Sequence, residues 1–215
     1  MKNNIYILSD KKVDGAINLP VFEIEFLPQN IDLKSYDAII FTSKNGIYSI
    51  DSFNKDWKHI PSYAIAPLTA DVIKEYGGNL VYTSSKSYGD DFAQELIPIL
   101  KGKKTVFLRA QKVISKLDSI LRENHIDLDD IAIYKTIIKK DINKNLKPPK
   151  GSIIIFSSPS TIEGFFTHFE WDDSYKAVAI GKVTSAHLPE NIKCKVAPKP
   201  SLPGCVEFAH NLYNN

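Results

Sequence analysis

Short, continuous apolar runs recur along the chain, at 5–8, 38–41, 63–66, 80–82, 105–108, 131–134, 152–156, 177–180 and 194–196. Runs of this length without polar alternation predict parallel strands covered on both faces. Between them apolar residues recur at helical spacing. Phe92, Leu96 and Leu100 do so within 90–101, and Val113, Leu117, Ile120 and Leu121 within 111–124. Gly77 and Gly78 end a helical segment begun at Thr69, as glycine does past a helix C-terminus. Strand alternating with helix predicts a parallel α/β sheet with crossover helices.

Two segments break this pattern. Residues 21–27 (VFEIEFL) alternate apolar with acidic, and residues 134–140 (YKTIIKK) are β-rich and basic. Each is followed by polar, proline-bearing sequence. They read as two strands crossing between domains and pairing antiparallel through complementary charge, although two ordinary edge strands have the same pattern. On the first reading, residues 1–20 and 150–215 form a discontinuous α/β domain with four clear strands. Residues 28–133 form an inserted α/β domain with five, and 21–27 with 134–140 form the inter-domain ladder.

An internal repeat supports two related domains. Residues 41–47 align with 156–162, 64–70 with 179–185, Val81 with Val196 and Gly89 with Gly204, always 115 residues apart. Beyond Gly89 one residue must be slipped to align Phe92-Ala93 with Phe208-Ala209. Each copy carries Ser/Thr-rich turns just after an apolar run. In open parallel sheets, ligands sit beyond the C-terminal strand ends, and the helix starts found there favour anions. The candidate turns are Thr42-Ser43-Lys44-Asn45, Pro67-Leu68-Thr69, Thr83-Ser84-Ser85, Ser157-Ser158-Pro159-Ser160-Thr161 and Lys182-Val183-Thr184-Ser185, with Arg109 and Lys112 adding cations at another. Ordinary helix capping prefers the same residue types. Repetition at one offset is what adds the binding reading.

Composition narrows the function classes. The chain has 215 residues, is 43% hydrophobic and 24% charged, and carries a formal net charge of +2. That is an ordinary globular composition, without the concentrated basic face expected for nucleic-acid binding. No apolar run reaches membrane-spanning length, and the N-terminal apolar stretch is too short for a signal sequence. Cys194 and Cys205 have no metal-ligand spacing and read as free thiols of a cytoplasmic protein. No phosphate loop, dinucleotide fingerprint, HExxH or GxSxG motif is present. The five histidines are scattered, and Asp90-Asp91 and Asp129-Asp130 read as capping or solvated pairs. With neither nucleophile nor metal site evident, an enzyme built this way works by binding, orientation and acid–base help.

The ordered set Phe41-Thr42-Ser43, Ala66-x-x-Thr69, Leu108-Arg109, Tyr134, Phe156-Ser157-Ser158-Pro159-Ser160 and Ala179-Ile180-Gly181-x-x-Thr184 resembles the uroporphyrinogen-III synthase family over nearly the whole chain. The resemblance implies two similar flavodoxin-like, three-layer parallel-sheet domains, one inserted in the other and joined by a two-stranded ladder, with the active site in the cleft between them. It implies conversion of hydroxymethylbilane, a linear tetrapyrrole with eight carboxylates, to uroporphyrinogen III. Water is lost, the ring closes and ring D is inverted, through a spiro-pyrrolenine intermediate. It implies no metal and no cofactor.

The family's tyrosine falls on Tyr134, the candidate for helping the ring A hydroxyl leave as water, though a strand tyrosine at a domain edge also fits. Thr42, Ser43, Lys44, Asn45, Thr69, Arg109, Ser157, Ser158, Pro159, Ser160, Gly181, Lys182 and Thr184 fall at carboxylate-binding positions. The chain departs from the family at Ala66-Pro67, at Ala110-Gln111 and in the short segment 8–21, which lacks room for the usual first helix and second strand. The expected state is a cytoplasmic monomer, in transient contact at most with the preceding enzyme of the pathway. The competing classes are a non-catalytic two-lobed protein that binds an anionic small molecule and a tandem regulatory α/β module, the latter disfavoured by Ser and Thr where acidic strand ends are needed.

Overall fold

The computed structural model of the chain describes residues 4–9, 12–86, 88–113 and 115–213. In chain order the strands are β1 (Ile5–Leu8), β2 (Ile17–Asn18), β3 (Phe22–Phe26), β4 (Ala38–Phe41), β5 (Ser62–Ala64), β6 (Leu80–Thr83), β7 (Thr105–Ala110), β8 (Leu128–Ile138), β9 (Ile153–Phe156), β10 (Lys176–Ala179) and β11 (Cys194–Val196). The helices are α1 (Lys44–Phe53), α2 (Pro67–Glu75), α3 (Gly89–Leu100), α4 (Leu117–Glu123), α5 (Pro159–His168), α6 (Lys182–Ser185) and α7 (Leu202–Tyr213). Two compact units result. One joins the described residues up to Glu23 with those from Ile137 onward, and the other spans Ile24–Thr136.

The inserted unit holds the sheet β3-β8-β7-β4-β5-β6, in which β8, β7, β4, β5 and β6 are parallel. Its central strand shows why the sequence runs apolar without alternation. Ala38 and Ile40 pack with Phe92, Leu96 and Leu121 of α3 and α4, whereas Ile39 and Phe41 pack with Ile47, Ile50 and Ile73 of α1 and α2. All four strand residues are fully buried, because each face carries a helical layer. The discontinuous unit repeats the plan with the parallel order β11-β10-β9-β1-β2. Ile5, Ile7, Ile153 and Ile155 meet α7 through Cys205, Val206 and Ala209, while Leu8, Ile154 and Phe156 meet α5 through Ile162 and Phe165. Matched through the repeat, β4, β5 and β6 correspond to β9, β10 and β11. The two parallel arrays therefore have one strand order, with β7 and β8 in the places of β1 and β2.

The alternating acidic segment and the basic segment do pair. Leu27 N–H donates to the Ile133 carbonyl at 2.8 Å and Lys139 N–H to the Val21 carbonyl at 3.0 Å, a register that requires antiparallel strands. The Lys135 ammonium lies 2.9 Å from the Glu25 carboxylate. The runs at 131–134 and 134–140 prove to be one eleven-residue strand, β8.

Two expectations need correction. Segment 8–21 does contain a second strand. Two residues, Ile17 and Asn18, pair with Tyr6 and Ile7, so the discontinuous unit has five strands rather than four. The helix expected over 111–124 begins only at Leu117. Gln111 N–H continues the sheet by donating to the Tyr134 carbonyl at 2.8 Å, and Lys116 N–H is held by the Asp90 carboxylate at 2.8 Å. These bonds keep the chain extended past the point where helical periodicity begins.

Helix α2 stops at Gly77, whose φ of 76° an L side chain adopts only with strain. The next residue is constrained by packing instead. A Cβ on Gly78 would lie 2.3 Å and 2.6 Å from ring atoms of Trp57 and 2.9 Å from Ile73 Cγ2. Trp57 is fully buried and its indole N–H is fixed on Asp51 at 3.1 Å. Gly78→Ala is expected to cost about 2 kcal/mol through overpacking and to lower the melting temperature by about 4–8 °C, as read by thermal circular dichroism.

Candidate functional site

The predicted turns lie at the C-terminal ends of parallel strands. In the inserted unit β4 leads to Thr42-Ser43 and α1, β5 to Ala66 and α2, and β7 to Arg109-Ala110. In the discontinuous unit β9 leads to Ser157-Ser158 and α5, and β10 to Gly181 and α6. The helices α1, α2, α5 and α6 have no acidic residue in their first turn, and Lys44 and Lys182 begin α1 and α6. By contrast α3 carries Asp90 and Asp91 there, and α4 carries Asp118. Aspartate and glutamate are the stabilising choice at a helix start. No acidic side chain of the first turn sits at these four helix starts, and α7 shares that feature.

At the third helical position the turns share a residue type. Thr69 in α2, Thr161 in α5 and Thr184 in α6 are 5%, 3% and 4% exposed. The Thr161 hydroxyl accepts from the Ser158 N–H at 3.2 Å and donates to the Ser158 carbonyl at 2.6 Å, clasping the start of its helix. The sequence points Thr69 and Thr184 toward a ligand, whereas the structure buries both beneath their turns. The second position is the exposed one. Ser160 is exposed there, and Leu68 and Val183, matched through the repeat, are 60% and 71% exposed despite being apolar.

Other predicted residues divide between inward and outward roles. Ser157 Oγ donates to the Leu8 carbonyl at 2.9 Å and so ties β9 to β1. Ser158 and Ser160 hydroxyls lie 2.9 Å apart. Pro159 opens α5, and Gly181 caps α6 with an extended backbone and free space where a Cβ would stand. Thr42, Lys44 and Asn45 are half-buried. Arg109 is the clearest departure. Its Nε donates to Asp130 at 2.5 Å and its Nη1 to the carbonyls of Ala110 and Gln111 at 3.0 Å and 3.3 Å. It is committed within the protein and is not offered to a ligand carboxylate. A sequence scan cannot pair residues on different strands, so this commitment leaves no mark in the sequence.

Tyr134 occupies an unusual backbone position. Along β7 and β8 the register runs Leu108↔Ile131 and Arg109↔Ala132, then shifts so that Ala110 pairs with Tyr134. Ile133 is the extra residue of a β-bulge. In a regular strand consecutive side chains point to opposite faces, yet Ile133 and Tyr134 both pack in the α1/α2 layer. The bulge has turned the tyrosine toward α1. Space for its ring exists because the third position of α1 is Gly46, whose Cβ would stand 3.7 Å from Tyr134 Cε1 and 3.2 Å from the Leu108 carbonyl oxygen. Tyr134 as a whole is only 6% exposed. Burial pushes its pKa above the ordinary tyrosine value, and a hydrogen bond with the Ser43 side chain pulls back by less. At neutral pH the group is therefore a protonated donor.

Asn18 escapes the sequence reading because its segment looks too short for a strand. It ends β2, donates through Nδ2 to the Ser9 carbonyl at 2.7 Å, and has a buried Oδ1 without a partner among the described residues. Leu68 and Val183 lie within two of the candidate turns, and the repeat aligns them, but the sequence alone gives no sign that both are exposed. A cavity of about 560 Å³, lined by Trp171, Tyr175, Lys176, Lys193 and Cys194, opens where β10 and β11 begin, away from the turns. Among the described residues no cluster of three or more His, Cys, Asp or Glu is placed to hold a metal ion, and no helix is long and apolar enough to cross a membrane.

Comparison with known proteins agrees with this arrangement. The family model for uroporphyrinogen-III synthase HemD matches residues 15–207. Uroporphyrinogen-III synthetase from Helicobacter pylori 26695 is 30% identical, with 99% of this chain and 100% of that chain covered and a TM-score of 0.76. A mutant uroporphyrinogen III synthase from the extremely thermophilic bacterium Thermus thermophilus is 14% identical over 93% of this chain and 90% of that one, with a TM-score of 0.47, too distant to support an argument. No curated protein matches the sequence. On the family match and the full-length likeness to the Helicobacter protein, this chain belongs to the uroporphyrinogen-III synthase family.

Proposed function

We propose that the chain is a hydro-lyase that cyclises and dehydrates hydroxymethylbilane, with inversion of ring D, to give uroporphyrinogen III for haem biosynthesis. The observation that carries the chemistry is Tyr134, a protonated phenol turned toward α1 by a β-bulge in the middle of β8, opposite the C-terminal end of β7. The four helix starts without acidic first turns supply the binding side, since the substrate carries eight carboxylates. Lys44, Lys182, Asn45, Ser158 and Ser160 are the side chains available to those carboxylates. Leu68 and Val183 offer apolar surface to the faces of the pyrrole rings.

In the first step the C–O bond of the hydroxymethyl group breaks. Its electron pair stays with oxygen, which takes the Tyr134 proton and departs as water. The lone pair of the adjacent ring nitrogen fills the vacancy at carbon. Attack by the substituted carbon of ring D then forms a spiro-pyrrolenine, and bond migration inverts the ring. The proton released on final rearomatisation returns to the Tyr134 phenolate, so the enzyme is regenerated with net loss of one water. Free hydroxymethylbilane closes unaided to the type I isomer, so the larger task of the protein is to hold a conformation that directs attack to the substituted carbon. We place the chain in the cytoplasm, where Cys194 and Cys205 remain free thiols.

The test is isomer analysis. Freshly made hydroxymethylbilane is incubated with the protein, oxidised, and the porphyrins resolved. The type III fraction is expected to rise with protein concentration, and type I alone at every concentration refutes the proposal.

A further inference from the structure

We propose that Ser49 is a positioning residue for Tyr134, its hydroxyl pinning the bulged residue of β8 and so fixing the direction in which the phenol points. This role rests on the synthase reading above, in which Tyr134 delivers the proton.

Ser49 is fully buried in the middle of α1. A serine inside a helix ordinarily faces water or bonds a carbonyl one turn back in its own helix. Ser49 directs its one hydroxyl proton out of the helix instead, and donates to the Ile133 carbonyl of β8 at 2.5 Å. Gly46, three residues earlier on the same helix face, explains how it reaches the sheet. A Cβ there would stand only 3.2 Å from the Leu108 carbonyl oxygen of β7, so glycine lets α1 approach closely.

The accepting carbonyl belongs to the extra residue of the bulge, since Arg109 pairs with Ala132 and Ala110 with Tyr134. It is part of the peptide plane that joins Ile133 to Tyr134. Bonds to that oxygen therefore set the rotation of the plane and the direction in which Tyr134 leaves the backbone. Leu27 N–H of the neighbouring segment holds the oxygen at 2.8 Å and Ser49 holds it from the helix side. The following carbonyl, that of Tyr134, accepts from Gln111 N–H at 2.8 Å. Leu27 and Gln111 tie this backbone to other extended segments. Ser49 ties it to α1, the helix whose Gly46 makes room for the Tyr134 ring. Bulges re-aim side chains, and Ser49 fixes the aim of this one relative to the helix.

Proton delivery needs the phenol oxygen within hydrogen-bond reach of the departing oxygen. A misplacement of about 1 Å can cost on the order of 100-fold in rate. Ser49 is too deeply buried to meet substrate and acts through Tyr134. Its loss lets the 133–134 peptide relax while the turns at the helix starts keep their places. The effect therefore falls on kcat rather than on substrate binding.

Ser49→Ala removes the donor and keeps the helix, since alanine is the better helix former and the Ile133 carbonyl retains its bond from Leu27. Measured well below the melting temperature, kcat is expected to fall about 10-fold, short of the loss for a full 1 Å displacement, with KM changed by less than about twofold. Ser49→Cys, whose thiol is a weak donor, is expected to lie between, and carries the measurement if the alanine variant does not fold. In a Tyr134→Phe background Ser49→Ala is expected to change kcat by less than about twofold, because its effect passes through the phenol. Gly78→Ala strains the same core cluster at Trp57 and Ile73, away from the bulge, and is expected to keep its kcat. An unchanged kcat on loss of the hydroxyl, an equal fall in Gly78→Ala, or an undiminished fall in the Tyr134→Phe background overturns the role. Failure of the parent chain to make any type III isomer overturns the synthase reading, and is distinguishable because it needs no substitution.

Discussion

Tyr134→Phe is expected to slow turnover about 10- to 100-fold while KM changes by less than about threefold. A general acid contributes at least this much when the leaving group needs it, and the lower end applies because the hydroxymethyl oxygen leaves readily even in water. The fold should survive. The ring is buried, and phenylalanine fills the same space beside α1 and β7. What disappears is the phenolic proton. The pH profile adds a second reading. Burial holds the phenol above its ordinary pKa, so the parent activity should stay flat through neutral pH and fall only in strong alkali, where the donor is lost. Steady-state kinetics on both proteins, with isomers resolved, checks this, and an unchanged kcat removes Tyr134 from the mechanism.

An effect on stability as large as that at Gly78 is expected at Asp130. Arg109 and Arg122, the two arginines of the chain, both grip this carboxylate. Burial alone would raise its pKa, but hydrogen bonds from Arg122 and Arg109 outweigh burial and hold it below the usual carboxylate range. Asp130→Asn leaves two guanidinium groups facing an amide. Breaking a fully buried pair costs about 3–5 kcal/mol. Here the Asp130, Arg109 and Arg122 side chains retain 17%, 24% and 44% exposure, so solvent screening reduces the expected loss to about 2 kcal/mol. That corresponds to a fall in melting temperature of about 4–8 °C. Because the folded pKa is depressed, the parent's advantage is complete above the unfolded carboxylate pKa of about 3.9 and is lost as pH falls through the folded value. The two proteins should therefore converge in stability in strong acid. Denaturant titrations at neutral and acid pH measure this, and a difference below about 0.5 kcal/mol at neutral pH would mean that the two arginines find other partners.

The α/β class is legible in the sequence because fully buried parallel strands cannot hide their composition. Phe41 and its three predecessors are apolar since each faces a helix, and the same holds for Ile153 to Phe156. The turns are legible through the repeat. What escapes is set by backbone geometry or by distant pairing. Strand β2 is too short to show a pattern. The late start of α4 depends on the bond from Gln111 to Tyr134, and the bulge at Ile133 leaves no compositional mark. Arg109 looks available in the sequence because its partner, Asp130, lies on another strand. Thr69 and Thr184 look like ligand contacts because a buried threonine at a helix start and an exposed binding residue are the same residue type.

The shared strand order of the two units has a consequence for biosynthesis on the ribosome. The inserted unit has all its parallel strands by Thr136 and can close while the rest of the chain is still being made. The other unit cannot. Ile5 pairs with Ile153, and Ile7 with Ile155. At about 5–20 residues per second, the apolar N-terminal strand must wait on the order of 10–30 s for its partner. During that interval Ile5, Ile7 and Leu8, fully buried in the folded unit, lack the partner strand that helps to cover them.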